Sequence, residues 1–213
     1  MLNTKRRYSL GEEIFNCVVH GVGAGLAIAG AVILIVISAM NSSAWEIVAN
    51  SVYGGTLILF FTISTVYHAL SNFNARNVMR VFDSNLIFLL IAGTYTPFCL
   101  ISMNGVSGWI VFGAIWGLTA LCIVFNSINN EKFSKIAPVC YVILGWGALF
   151  ATKPLLQNTS KFTIMFLLIG GLIFTIGAII YAMKKFKYAH SVWHVFILLG
   201  CICHYFSILD IIA

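Results

Sequence analysis

Charge is what this chain has least of. Only 8% of its 213 residues are Asp, Glu, Lys or Arg, against about 25% in ordinary soluble domains. A soluble globular protein is excluded on that ground. Low-complexity tracts, a polar linker and an internal repeat are also missing, and the lack of a repeat argues against a transporter built from inverted halves. No Cys-x-x-Cys occurs among the six cysteines. They fall in or at the ends of apolar stretches, so they read as reduced, small, buried side chains.

What is present is hydrophobic length. The composition is 61% hydrophobic and the mean hydropathy is +0.99. About 20 apolar residues cross a bilayer as a helix. Seven such spans are expected, over residues 14–38, 48–69, 82–102, 107–126, 136–152, 162–182 and 191–212. The fold class is all-α: one polytopic domain over 1–213, a bundle of seven transmembrane helices. The first stretch has features of an export signal, with Lys5, Arg6 and Arg7 ahead of it and Ala27-Ile28-Ala29 resembling a cleavage site. The apolar run continues past Ala29, so it is read as a true span. Small residues at Gly21/Gly25 and Gly113/Gly117 are expected at helix contacts.

Short loops that retain Lys and Arg lie on the cytoplasmic side. Lys5, Arg6, Arg7, Arg76, Arg80, Lys132, Lys135, Lys184, Lys185 and Lys187 fall on one side of the spans; Lys153 and Lys161 fall on the other. The amino terminus is therefore expected in the cytoplasm and the carboxyl terminus outside, in a multi-pass protein of the cell membrane. The net charge of +6 is a topology signal. The basic residues lack interleaved aromatics, so nucleic acid is not an expected partner.

Against this background the polar residues inside the spans stand out, because ionisable groups are costly there and mark functional sites. His190 and His194 open the last span one helical turn apart, with Cβ atoms about 6 Å apart on one face. Ser64 and His68 close the second span, also at i,i+4. Alternation of the spans puts both pairs at the cytoplasmic level, together with Asp83 near the start of the third. Glu13, Asn16 and His20 share one face of the first span at that same level. Three histidines from two helices leave one position open on a tetrahedral zinc ion, the pattern of a catalytic site. Asp83 is the candidate to take a proton from an attacking water, and Ser64 to orient it. Glu13, Asn16 and His20 read as a clamp that hydrogen-bonds the ligands from behind. Plain interhelical hydrogen bonding and a proton relay remain as other uses of these groups. His204 lies about 15 Å beyond His194 on the same helix, too far to share the metal. It reads as an interior hydrogen-bonding histidine, with a ligand-chamber role as the second option. Asp210 is expected to be solvated, and Trp45, Trp109 and Tyr188 to anchor the interfaces.

At these residues the chain resembles the bacterial hemolysin III branch of the progestin and adipoQ receptor (PAQR) family. The wider superfamily includes the alkaline ceramidases. The resemblance spans essentially the whole chain. It runs from Glu13-x-x-Asn16-x-x-x-His20 through Ser64-x-x-x-His68 to His190-x-x-x-His194. Phe82-Asp83-Ser84-Asn85, leading to Ala92-Gly93-Thr94-Tyr95-Thr96-Pro97, is similar to the family's third helix. The resemblance implies seven helices around an intramembrane zinc near the cytoplasmic face. His68, His190 and His194 match the metal ligands, and Ser64 and Asp83 match residues that contact the reacting water. Three functions follow as expectations. The first is zinc-dependent hydrolysis of a lipid amide or ester, as in a ceramidase. The second is a non-enzymatic regulator of membrane homeostasis with structural zinc and a bound lipid. The third is cytolysis, which the branch name suggests. The long amino-terminal region of the animal receptors has no counterpart, so hormone signalling is not expected.

Overall fold

The computed structural model describes residues 8–41, 43–147, 152–183 and 187–213; side chains are described for these except Phe73 and residues 152–154. Lys5, Arg6, Arg7, Lys184, Lys185 and the Lys153 side chain, all counted for topology, lie outside the described residues. Every described element is helical: α1 (Leu10–Met40), α2 (Ala44–Ala69), α3 (Phe73–Pro97), α4 (Gly105–Ile128), α5 (Asn130–Phe133), α6 (Ala137–Gly145), α7 (Thr152–Asn158), α8 (Lys161–Met183) and α9 (Ala189–Ile212). Six stretches among them are long and apolar enough to cross a membrane.

The sequence dictates where these helices begin. Ser9 caps α1 through a reciprocal pair: its hydroxyl accepts from Glu12 N at 3.3 Å, and Glu12 Oε2 accepts from Ser9 N at 2.8 Å. Ser43 Oγ and Asn72 Oδ1 cap α2 and α3 by accepting from Glu46 N and Ala75 N. Pro97 has no amide hydrogen to continue the helical ladder, and the chain passes from α3 into a π-helical segment, Phe98–Met103. Asn104 (φ 45°) and Gly105 (φ 58°) then take left-handed conformations that turn the chain into α4.

Polarity is arranged inside out. Along α1 the buried residues Glu13, Asn16, His20, Ala27 and Leu34 share one face. Ile14, Val18, Val22 and Leu26 are about half exposed on the other. An apolar outer face suits hydrocarbon, and the polar inner residues find partners only within the bundle. The helices form a ring in which α1 packs on α2, α2 on α3, α3 on α4 and α6, α6 on α8, α8 on α9, and α9 back on α1. The α1–α9 seam is tied at both ends. Glu12 Oε1 accepts from Tyr188 N at 3.0 Å, and Asn41 Nδ2 donates to the Ile212 carbonyl at 2.8 Å. The two helices therefore run parallel.

Two expectations change. The fifth span, expected over 136–152, appears among the described residues only as the nine-residue helix α6; residues 148–151 lie outside them. Helix α6 stops where tertiary bonds take over. Tyr95 OH donates to the Gly145 carbonyl at 2.8 Å, and Trp146 Nε1 donates to Thr175 Oγ1 at 2.9 Å. Contacts at small residues also fall elsewhere. A Cβ at Gly25, Gly113 or Gly117 would meet nothing within 4 Å, and one at Gly21 would meet only Thr65 at 3.8 Å. A Cβ at Gly54 would strike Ala31 at 2.6 Å, and one at Gly93 would run into Thr56. Asp210, expected to be solvated, is partly exposed and also accepts from Ser160 and, at 2.6 Å, from Thr163.

Candidate metal centre

Four helices bring the candidate residues together at one end of the bundle. Helix α2 supplies Ser64 and His68, α9 supplies His190 and His194, α3 supplies Asp83, and α1 supplies Glu13, Asn16 and His20. The capping residue Glu12 holds the start of α9 beside the start of α1. That bond puts His190 level with His68, which the chain itself separates by more than a hundred residues.

Nε2 of His194 lies 3.1 Å from Nε2 of His68 and 2.9 Å from Nε2 of His190. The candidate ligand atoms of the three rings fall within 4.8 Å of one another and could hold a metal ion. A tetrahedral ion with bonds of 2.0–2.1 Å keeps its ligand atoms about 3.3 Å apart, so the donor set fits. The far sides of two rings are engaged as well. His68 Nδ1 bonds Glu13 Oε2 at 2.6 Å, and His194 Nδ1 bonds His20 Nε2 at 2.7 Å. A carboxylate only accepts, so His68 donates from Nδ1 and keeps its Nε2 lone pair turned toward the other rings. Metal-binding histidines commonly give their second N–H to such a partner, which fixes tautomer and ring angle.

Glu13 is itself held by Arg76, whose Nη2 donates to Oε1. In the sequence Arg76 stands out only as a topology signal. The signal for it was a carboxylate near the amino-terminal end of an apolar helix, which calls for a counter-ion. Replacing Glu13 with Gln removes the charge but keeps the shape. Metal affinity is expected to fall about 10–100-fold, read by competition with a chromogenic zinc chelator. Unchanged affinity would show that Glu13 does not orient His68.

Asp83 lines a cavity with His190, His194, Tyr141, Tyr181 and Trp193. Its carboxyl interacts with His68 and Ser64. His20 Nδ1 and both amide atoms of Asn16 are sealed from solvent and have no hydrogen-bond partner among the described residues. Polar atoms left so cost about 1–3 kcal/mol each. Asn16 and Ser64 thus sit at the expected depth but make no bond to the ring nitrogens. His204 stands apart, with Nε2 donating to the Leu167 carbonyl at 3.2 Å.

The Haemolysin-III related family model matches residues 8–205. Hemolysin-3 of Bacillus cereus is 37% identical over 198 residues, covering 93% of this chain and 90% of its own length. The hemolysin-3 homolog of Bacillus subtilis (strain 168) is 33% identical over 202 residues, covering 95% of both chains. The monocyte to macrophage differentiation factor of Homo sapiens is 27% identical over 204 residues, covering 92% of this chain and 83% of its own. No solved structure matches. Six apolar helices around a buried histidine cluster, matched to that family along nearly the whole chain, identify a multi-pass membrane protein that belongs to the haemolysin-III related family.

Proposed function

We propose that the chain is an intramembrane zinc protein that hydrolyses an amide or ester bond of a membrane lipid. The observation that carries this reading is the placement of Asp83 in the same cavity as His190 and His194, beside the three-histidine cluster. His68, His190 and His194 hold the metal. Bound zinc supplies carbonyl polarisation and acidifies water to a pKa of about 7. Asp83 takes the proton from the attacking water as its oxygen bonds the scissile carbon, then returns it to the departing amine or alcohol. The Ser64 hydroxyl orients that water or donates to the developing oxyanion. Glu13, backed by Arg76, and His20 keep the two imidazoles turned inward. Phe60, Ile87 and Ile197 keep bulk water from the cavity. Purified protein incubated with mixed membrane lipids, with and without a chelator, tests this by mass spectrometry. Chelator-sensitive release of fatty acid is expected, and no release from any lipid ends the hydrolase reading.

A regulator with structural zinc is the second reading. It draws on the Glu13–His68, Glu13–Arg76 and His20–His194 bonds, which link α1, α2, α3 and α9. There a bound lipid shifts the packing of helices that the metal clamps. Cytolysis, a reading drawn from the names of the Bacillus relatives, stands third, because the broad apolar outer face suits a resident membrane protein.

In the proposed topology the chain crosses the cell membrane seven times, with the amino terminus in the cytoplasm. The parallel run of α1 and α9 supports this. Six alternating crossings would make the first and last antiparallel, so their parallel run calls for an odd number of crossings. Reporter fusions after residues 76, 132 and 185 are expected to read cytoplasmic. Fusions after residues 43, 105, 157 and 213 are expected to read external. A cytoplasmic carboxyl terminus would refute the seven crossings.

A further inference from the structure

The cavity beside Asp83 does not end there. It shares Phe60, Ile87, Tyr141, Trp193 and Ile197 with a second, apolar cavity deeper in the bundle. That cavity shares Thr94, Tyr95, Gly145, Trp146, Gly171 and His204 with a third, of about 260 Å³, toward the far side. The three cavities adjoin through these shared walls, in series from the histidine cluster along α9. His204 lines both of the deeper cavities.

The polar groups of this lining are tied to the protein. Thr94 donates to the Leu90 carbonyl, Tyr95 to Gly145, Tyr141 to Ser84 and Thr175 to Gly171, and the Trp146 indole donates to Thr175. His204 differs. Its Nε2 faces the Leu167 carbonyl, which can only accept, so Nε2 is the donor. In the neutral ring Nδ1 is then an acceptor. It has no protein partner among the described residues. The ring is held in place, packed on Phe174 at 5.2 Å and against Gly170, where a Cβ would run into it.

We infer that His204 is a specificity-determining residue that selects a lipid whose acyl chain bears a mid-chain hydroxyl group. An unsubstituted chain would cover Nδ1 and leave a buried acceptor unpaired. A hydroxyl donates to it. The depth suits such a chain: His204 lies about 15 Å along α9 from His194, where the middle of a long chain falls when its carbonyl end is at the histidine cluster. The inference rests on the reading of a lipid at that cluster, but not on turnover.

The test uses free fatty acids, which bind without being hydrolysed. Affinities of 12-hydroxystearate, 12-ketostearate and stearate for the purified full chain are measured in one detergent by competition against a radiolabelled fatty acid. The keto acid matches the polarity of the hydroxy acid but cannot donate. The hydroxy acid is expected to bind about fivefold more tightly than either, and His204→Phe to abolish that preference while stearate still binds. Equal binding of the hydroxy and keto acids overturns the inference, as does a preference that survives in His204→Phe. Failure of all three to bind overturns it too. If His204→Phe does not fold, the wild-type ratio decides alone. Loss of the hydrolase reading would instead show as absent fatty-acid release, with the binding preference intact.

Discussion

Purified protein will carry about one zinc per chain, and His190→Ala/His194→Ala will remove it. The three imidazoles form a single cluster with Nε2 separations of 2.9 and 3.1 Å. The double substitution leaves one nitrogen ligand where a catalytic zinc needs about three. His68→Ala, His190→Ala and His194→Ala alone should each lose most of the metal. His204→Ala should keep it, since its ring bonds the Leu167 carbonyl and lines the deeper cavities away from the cluster. Stability should follow occupancy. A ligand present at a hundred times its Kd adds about 2.7 kcal/mol to the folded state, so a chelator should lower the melting temperature in detergent. The same chelator should do nothing to the double variant. Full zinc retention by that variant, measured by elemental analysis, would remove the site.

The second large effect is at Asp83. Asp83→Asn preserves size and hydrogen-bonding shape but cannot take a proton. Turnover is expected to fall by about 10²–10⁴-fold, with zinc content and melting temperature close to those of the parent. A scaffolding role gives the opposite order: the amide perturbs hydrogen bonding around the metal and changes stability first. Zinc content, melting temperature and fatty-acid release, measured on one preparation, separate the two. A stable, zinc-loaded Asp83→Asn protein with full activity would take Asp83 out of the mechanism and put the regulator reading ahead.

Much of this was legible in the sequence, and the residues show why. His68, His190 and His194 were placed at one depth by alternating spans and the distribution of Lys and Arg, and the structure brings them into one cluster. Depth along a span is a one-dimensional quantity. Helix periodicity likewise put Glu13, Asn16 and His20 on one face, and all three are buried there. Arg76 was missed because its partner lies 63 residues away on another helix. The end of α6 was missed for the same reason. The apolar run through residues 136–152 has no polar break, yet the Gly145 carbonyl is taken by Tyr95 from α3. Gly113 and Gly117 misled because spacing shows that two small residues share a face, not which neighbour meets it.

The sequence by itself determined that this is a helical membrane protein, roughly where its spans lie, and at what level its costly polar groups sit. Hydropathy and helical period are local, additive properties, so they can be read without knowing the neighbours. Only the tertiary structure decided which faces meet: His194 against His20, Glu13 between His68 and Arg76, and adjoining cavities from Asp83 to His204. The rotation of each helix about its own axis and its choice of partner arise from close packing and from polar groups that must satisfy one another inside the bundle. Those conditions hold between distant segments at once, and no stretch of the chain contains them alone.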